Sequence, residues 1–202
     1  MQHRIFIAIN LPENIKKKLA EYQLKWPDLP IRWTKKDNLH ITLIFLGYLS
    51  NEELLDVCKI TKRAVSQTPS FLINLNKICY GPRTGPPSSR EGLASRPKKI
   101  PRMVWAEGEK SKELGRLQKD LENSLLTSSV KGIESEARPY APHITLGRIK
   151  AWEFKNFEPE ERPEVNEEIN LSFEVSSIDV MESKLKRGGP EYTILELCPL
   201  KS

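Results

Sequence analysis

His40-Ile41-Thr42-Leu43 recurs letter for letter as His143-Ile144-Thr145-Leu146, and the two copies hold two of the chain's three histidines. Each copy lies in a run rich in Ile, Leu, Thr and Phe, Leu39 to Leu46 and Pro142 to Ile149, that reads as a β-strand. Side chains alternate between the two faces of a strand, so His and Thr two positions apart share a face while the Ile and Leu beside them turn to a core. Each copy therefore offers one imidazole and one hydroxyl on the polar side of an otherwise buried strand. Two such strands laid side by side would make a cleft holding two histidines and two threonines.

The flanking sequence repeats the same pattern more loosely. Arg4 to Asn10 reads as a strand, followed by a helix with Pro12 in its first turn and Ile15, Leu19, Tyr22 and Trp26 at helical spacing. Proline ends this helix, and Ile31-Arg32-Trp33 leads into the first His/Thr strand, which stops at Gly47. After the middle of the chain, Arg102 to Glu107 is again a strand, and Lys110 to about Leu126 a helix with Leu114, Leu117, Leu121 and Leu125 on one stripe. The second His/Thr strand follows. Strand, helix and His/Thr strand thus appear twice, which predicts an internal duplication.

The remaining elements are legible piecemeal. Ser50 with Glu53 three positions on forms a capping box for a helix carrying Leu54, Val57, Cys58, Thr61 and Val65 inward. Phe71, Ile73 and Leu75 alternate in a strand. The apolar alternation Leu171, Phe173, Val175 predicts one strand running on to Met181, and Gly188-Gly189-Pro190 a hairpin before the last strand, Tyr192 to Leu197. From about 81 to 101 the chain is basic and rich in Pro, Gly and Ser, with little to bury. It reads as a surface loop, either a mobile connection or a flap that grips RNA phosphates.

Composition narrows the class. The 202 residues suffice for a sizeable core, as one unit or two small lobes. No apolar run of about 18 residues predicts a membrane span. The apolar stretch at the start is too short for a signal peptide, so a cytoplasmic protein is expected. Cys58, Cys79 and Cys198 are odd in number and widely spaced, which predicts free thiols in place of a disulfide framework or zinc site. A net charge of +5 and a pI near 9.0 lean towards a polyanionic partner.

Neutral imidazole accepts a proton and imidazolium donates one, both near pH 7. A facing pair supplies base and acid in one turnover, and hydroxyls between them can bind anionic oxygens. That is the equipment for in-line displacement at phosphorus without a metal. A cation for the non-bridging oxygens is also wanted, and Arg148 follows the second motif closely. A Gly-x-Ser-x-Gly elbow, a His-Glu-x-x-His zinc motif, a phosphate loop and a dinucleotide fingerprint are all missing from the sequence. His3 reads as an incidental surface residue and Phe45 as core rather than a stacking platform for a base. Tyr140 and Tyr192 could reach the cleft or serve the fold.

The chain resembles the two-histidine phosphoesterases, and within them the RNA 2′,3′-cyclic phosphodiesterases historically called 2′-5′ RNA ligases. The resemblance rests on the paired His-x-Thr motifs, on Arg4-Ile-Phe-Ile-Ala-Ile, Phe45-Leu46-Gly47, Pro101-Arg-Met-Val-Trp105, Tyr140-Ala-Pro-His143, Leu146-Gly147-Arg148, Ser183 and Gly189-Pro-Glu-Tyr192. It implies an α+β fold in two pseudo-symmetric lobes, each an antiparallel sheet with helices on its outer face and the active-site cleft between them. The whole chain, 1–202, would form this single bilobal domain, acting as a monomer. It further implies metal-independent hydrolysis of an RNA-terminal 2′,3′-cyclic phosphate to a 2′-phosphomonoester, with no cofactor and no membrane partner. In that reading His40 is the proton donor and His143 the proton acceptor, while Thr42, Thr145 and Arg148 bind the phosphate. The substrates would be RNA ends or 2′,3′-cyclic nucleotides. The alternatives are the reverse reaction, 2′-5′ joining of tRNA halves, and a non-catalytic module that binds RNA ends. The long 81–101 segment departs from the family pattern and bears on substrate range, not on the chemistry.

Overall fold

A computed structural model describes residues 2–82, 100–109, 111–133 and 140–201. The basic segment discussed above lies, between 83 and 99, outside the described residues. The first expected strand is β1 (His3–Asn10), and the first helix is α1 (Glu13–Gln23), with Pro12 as its N-cap residue rather than inside its first turn. Trp26 falls beyond the helix end. A short strand, β2 (Ile31–Trp33), precedes the first His/Thr strand, β3 (His40–Leu49), which runs through Gly47 instead of stopping there. Ser50 caps α2 (Asn51–Val65) with the reciprocal hydrogen bonds to Glu53 that the sequence predicts.

The second half comprises β4 (Phe71–Gly81), β5 (Met103–Gly108), α3 (Lys112–Leu126), β6 (His143–Ile149), a single-turn α4 (Ala151–Phe154), β7 (Asn166–Val175), β8 (Ser177–Lys186) and β9 (Gly189–Pro199). The strand expected from Leu171 to Met181 is in fact two. The run breaks at Ser176, and β7 pairs with β4 while β8 pairs with β1 on the far side of the molecule.

The strands form an antiparallel sheet in the order β7-β4-β5-β6-β3-β1-β8-β9, with β2 added against β6. Its two halves, β3-β1-β8-β9 and β6-β5-β4-β7, match position for position. They meet between β3 and β6, where only Ile41 and Ile144 are paired. So thin a seam lets the halves fold away from one another as two lobes of an α+β molecule. The core lies on the helix side. Leu114, Leu117, Leu121 and Leu125 are each at most 2% exposed there, and burying such a side chain stabilises by about 1.5–3 kcal/mol. On the cleft side of the first lobe a smaller cluster forms from Phe6, Ala8 and Met181, with Tyr192 packed against it.

His3 is not incidental. Its ring nitrogens reach Glu182 Oε1 at 2.7 Å and Asn51 Oδ1 at 2.9 Å, tying β1 to β8 and to the start of α2. The three cysteines are free, with Cys79 and Cys198 buried. No described helix is long and apolar enough to cross a membrane.

Candidate active site

The pairing of Ile41 with Ile144 sets the geometry of everything above it. His40 and Thr42 flank Ile41, and His143 and Thr145 flank Ile144, so all four polar side chains stand one residue from that pair. The burial of Ile41 (1% exposed) and Ile144 (0%) anchors both strands from below, leaving the imidazoles half-buried in the cleft floor.

Each ring is fixed by its own strand in the same way. His40 Nδ1–H donates to the Asn38 carbonyl at 2.7 Å, and His143 Nδ1–H to the Ala141 carbonyl at 2.9 Å. A carbonyl only accepts, so the proton of the neutral ring is on Nδ1 in both. Nε2 is left for chemistry. In His40 it accepts from the Thr42 hydroxyl at 3.0 Å. The Tyr140 hydroxyl, from the stretch before β6, donates to the Thr42 carbonyl at 3.0 Å and ties the lobes together at the site.

The surroundings of the two rings differ. Phe6 and Tyr192 flank His40, with centroids 5.1 and 5.2 Å away. His143 instead lies flat on the Trp105 indole, 3.7 Å between centroids and 21° between planes. Burial pulls both histidines below their ordinary pKa, and the carbonyls of Asn38 and Ala141 push back. Beyond that the charges diverge: Lys16 and His143 disfavour a proton on His40, whereas Glu107 favours one on His143.

A shared irregularity finishes the cleft. Against β1, Ile44 pairs with Ile7 and Thr42 with Ala8, so Leu43 is an extra residue; against β5, Gly147 pairs with Val104 and Thr145 with Trp105, so Leu146 is extra. A β-bulge of this kind re-aims the side chains that follow it. Three positions after each threonine, Phe45 and Arg148 return to the cleft face. Phe45 is 73% exposed and lines the cleft, not the core that strict alternation predicts. Arg148 lines it too, where the chemistry of the motif wanted a cation. All five expected residues, His40, Thr42, His143, Thr145 and Arg148, thus border one cleft of ≈ 490 Å³. Sequence reading missed Trp105 and Phe45. It also missed Arg4, Arg32 and Lys35, which line the same cleft. The pattern His-x-Thr-x-x-[Phe/Arg], present in both copies, was the available signal.

The family model of LigT-like phosphoesterases matches residues 9–89 and 104–192, both lobes and both motifs. The chain belongs to that family. Among its relatives, a protein of Methanocaldococcus jannaschii named RNA 2′,3′-cyclic phosphodiesterase is 29% identical, the alignment covering 96% of this chain and 98% of that one. The crystal structure of a Thermus thermophilus protein superposes with a TM-score of 0.77 at 30% identity, over 98% of both chains. Escherichia coli LigT, crystallised with 3′-AMP, gives 0.74 at 27% identity over 100% of both. In this LigT-like phosphoesterase, no three His, Cys, Asp or Glu side chains among the described residues come together as a metal-binding set.

Proposed function

We propose that this phosphoesterase hydrolyses RNA-terminal 2′,3′-cyclic phosphates to 2′-phosphomonoesters by paired histidine acid–base catalysis, without a metal. One observation carries the proposal: two imidazoles, each with Nδ1–H held by a carbonyl, line one cleft together with both threonines, on strands that meet at Ile41 and Ile144. A phosphorus centre between them would have one Nε2 on either side, as in-line displacement requires. His143 takes a proton from the attacking water, and the water oxygen bonds to phosphorus. The P–O3′ bond breaks as His40, entering the turnover as imidazolium, gives its Nε2 proton to the departing 3′ oxygen. Thr42, Thr145 and Arg148 meet the non-bridging oxygens, whose charge grows in the transition state.

The unequal surroundings support this division of labour. The base becomes imidazolium in the transition state, and it is His143 that has Glu107 and the Trp105 face to favour that charge. The names of the relatives and the 3′-AMP bound to the Escherichia coli protein support a ribonucleotide end as substrate. The matching strand–helix–strand units, β1-α1-β3 and β5-α3-β6, support descent from a duplicated half now folded as a single bilobal domain.

Product analysis with 2′,3′-cyclic nucleotides and short RNAs, with and without EDTA, tests the reading. The expected product is the 2′-phosphate, unchanged by EDTA. His40→Ala and His143→Ala should each lower kcat by ~10²–10⁴-fold while circular dichroism stays that of the folded protein. Loss of activity with chelator, or full activity in either variant, would overturn the proposal. A 2′-5′-linked product would assign the joining reaction instead.

A further inference from the structure

At the hairpin end of the cleft, beyond the histidines, β2 runs beside β6 with Arg32 directly opposite Arg148. Both guanidinium groups are exposed and both residues line the cleft, as do Lys35 and Arg4. Like charges directly opposed on neighbouring strands repel. Even so, no ion pair among the described residues involves any of these four cations. Glu191, whose field reaches Lys35, is already paired with Lys186 at 2.8 Å.

The backbone that carries Arg32 and Lys35 is held in place. Thr34 N–H donates to the Leu146 carbonyl at 2.8 Å, and Asn38 Nδ2 to the Pro190 carbonyl at 2.8 Å, so the 31–38 segment is fastened to both lobes. Gly189, buried and with φ +108°, leaves the space that Arg32 occupies: a Cβ there would fall 2.6 Å from Arg32 Nη2. Lys35 Nζ comes within 3.9 Å of the corresponding point on Gly188. A fork-shaped donor and an ammonium on a fastened backbone, outside any ion pair among the described residues and lining one cleft, are the equipment for a phosphate.

We propose that Arg32 and Lys35 form a second phosphate subsite, which takes the phosphate on the 5′ side of the terminal nucleoside while the cyclic phosphate lies between the histidines. This rests on the function proposed above and deepens it: the preferred substrate carries at least two phosphates. The second is either a 5′-monoester or the diester that continues an RNA strand.

Calorimetric titration tests the subsite without depending on turnover. The ligands are adenosine 2′-monophosphate, adenosine 2′,5′-bisphosphate and the dinucleotide ApA ending in a 2′-phosphate, in buffer of low ionic strength. The wild-type protein should bind at least one of the two longer ligands about tenfold or more tightly than the monophosphate. Arg32→Gln and Lys35→Gln should each remove most of that gain while weakening the monophosphate by less than about threefold. The gain should also shrink with added salt, and less steeply in the variants. A gain for the bisphosphate alone assigns the 5′-monoester; a gain for the dinucleotide assigns the strand. Equal affinity for all three ligands, or an equal loss on all three in Arg32→Gln, overturns the subsite. Failure of the hydrolysis reading would show separately, as the absence of 2′-phosphate product in the assay above.

Discussion

Replacing Asp179 by Asn should make the protein more stable at alkaline pH and leave it nearly unchanged in acid. Asp179 lies in β8 between Ala8 of β1 and Leu197 of β9 and is 1% exposed. Burial raises its carboxyl from 3.8 to about 6, against the Ser177 hydroxyl at 3.5 Å and the charge of Lys16, which pull the other way. Lys16 is itself 7% exposed, and its amine is lowered by burial. A raised carboxyl means that the folded state binds its proton more tightly than the unfolded chain. The stability linked to Asp179 is therefore complete below about pH 4 and lost as pH rises through about 6. The gap between 3.8 and about 6 is roughly two units, which at ~1.36 kcal/mol each gives about 3 kcal/mol as the ceiling at pH 8. For a chain of this size that is ~6–12 °C in Tm. Thermal melts of wild type and Asp179→Asn at pH 4.5 and pH 8 should show a difference near zero in acid and a clear gain for the variant in base. A difference that does not grow with pH would refute the reasoning.

Both histidines are held below their ordinary 6.5 by burial, so the group that must be protonated loses its proton early. The alkaline limb of kcat/KM against pH should therefore have its midpoint below about 6.5, and a midpoint above 7 would contradict the burial reading. Phe45→Ala should raise KM for nucleotides by about 5- to 150-fold, because base stacking is worth ~1–3 kcal/mol. Its Tm should barely move, since the ring is 73% exposed; an unchanged KM would remove Phe45 from substrate binding. Trp105→Leu deletes the ring under His143 and should cut kcat by ~2–10-fold, the worth of an aromatic pair, with Trp105→Phe recovering part of it. Equal kcat in Leu and Phe variants would reduce Trp105 to a packing role.

Much of this could be read from the chain because the features concerned are local. The capping box of Ser50 and Glu53, the leucine stripe of α3 and the Gly188-Gly189 hairpin each depend on a few neighbouring residues. The His-x-Thr strands were legible for the same reason: alternation alone puts both side chains on one face. What alternation does not register is which strand lies alongside. Leu171 to Met181 keeps one hydrophobic rhythm, yet it belongs to two edges of the sheet, because the break at Ser176 is set by partners more than 70 residues away in β1 and β4. Trp105 is likewise apolar in an apolar strand, and only its pairing with Thr145 brings its ring beneath His143.

The bulges carry the deeper consequence. Were β3 and β6 regular, the residues three positions after each threonine would point to the core, and the cleft would hold two imidazoles and two hydroxyls in near twofold symmetry. Such a site would have no reason to bind a nucleotide one way round. The extra residues Leu43 and Leu146 bring Phe45 to one end of the cleft and Arg148 to the other. An aromatic face and a cation are not interchangeable to a nucleotide, which has a flat apolar base and an anionic phosphate. The two histidines also have different neighbours: the residues opposite them, Asn10 in β1 and Glu107 in β5, differ in charge. In the proposed reaction, division into acid and base then needs no difference in the motifs themselves, because the strands on either side supply different neighbours.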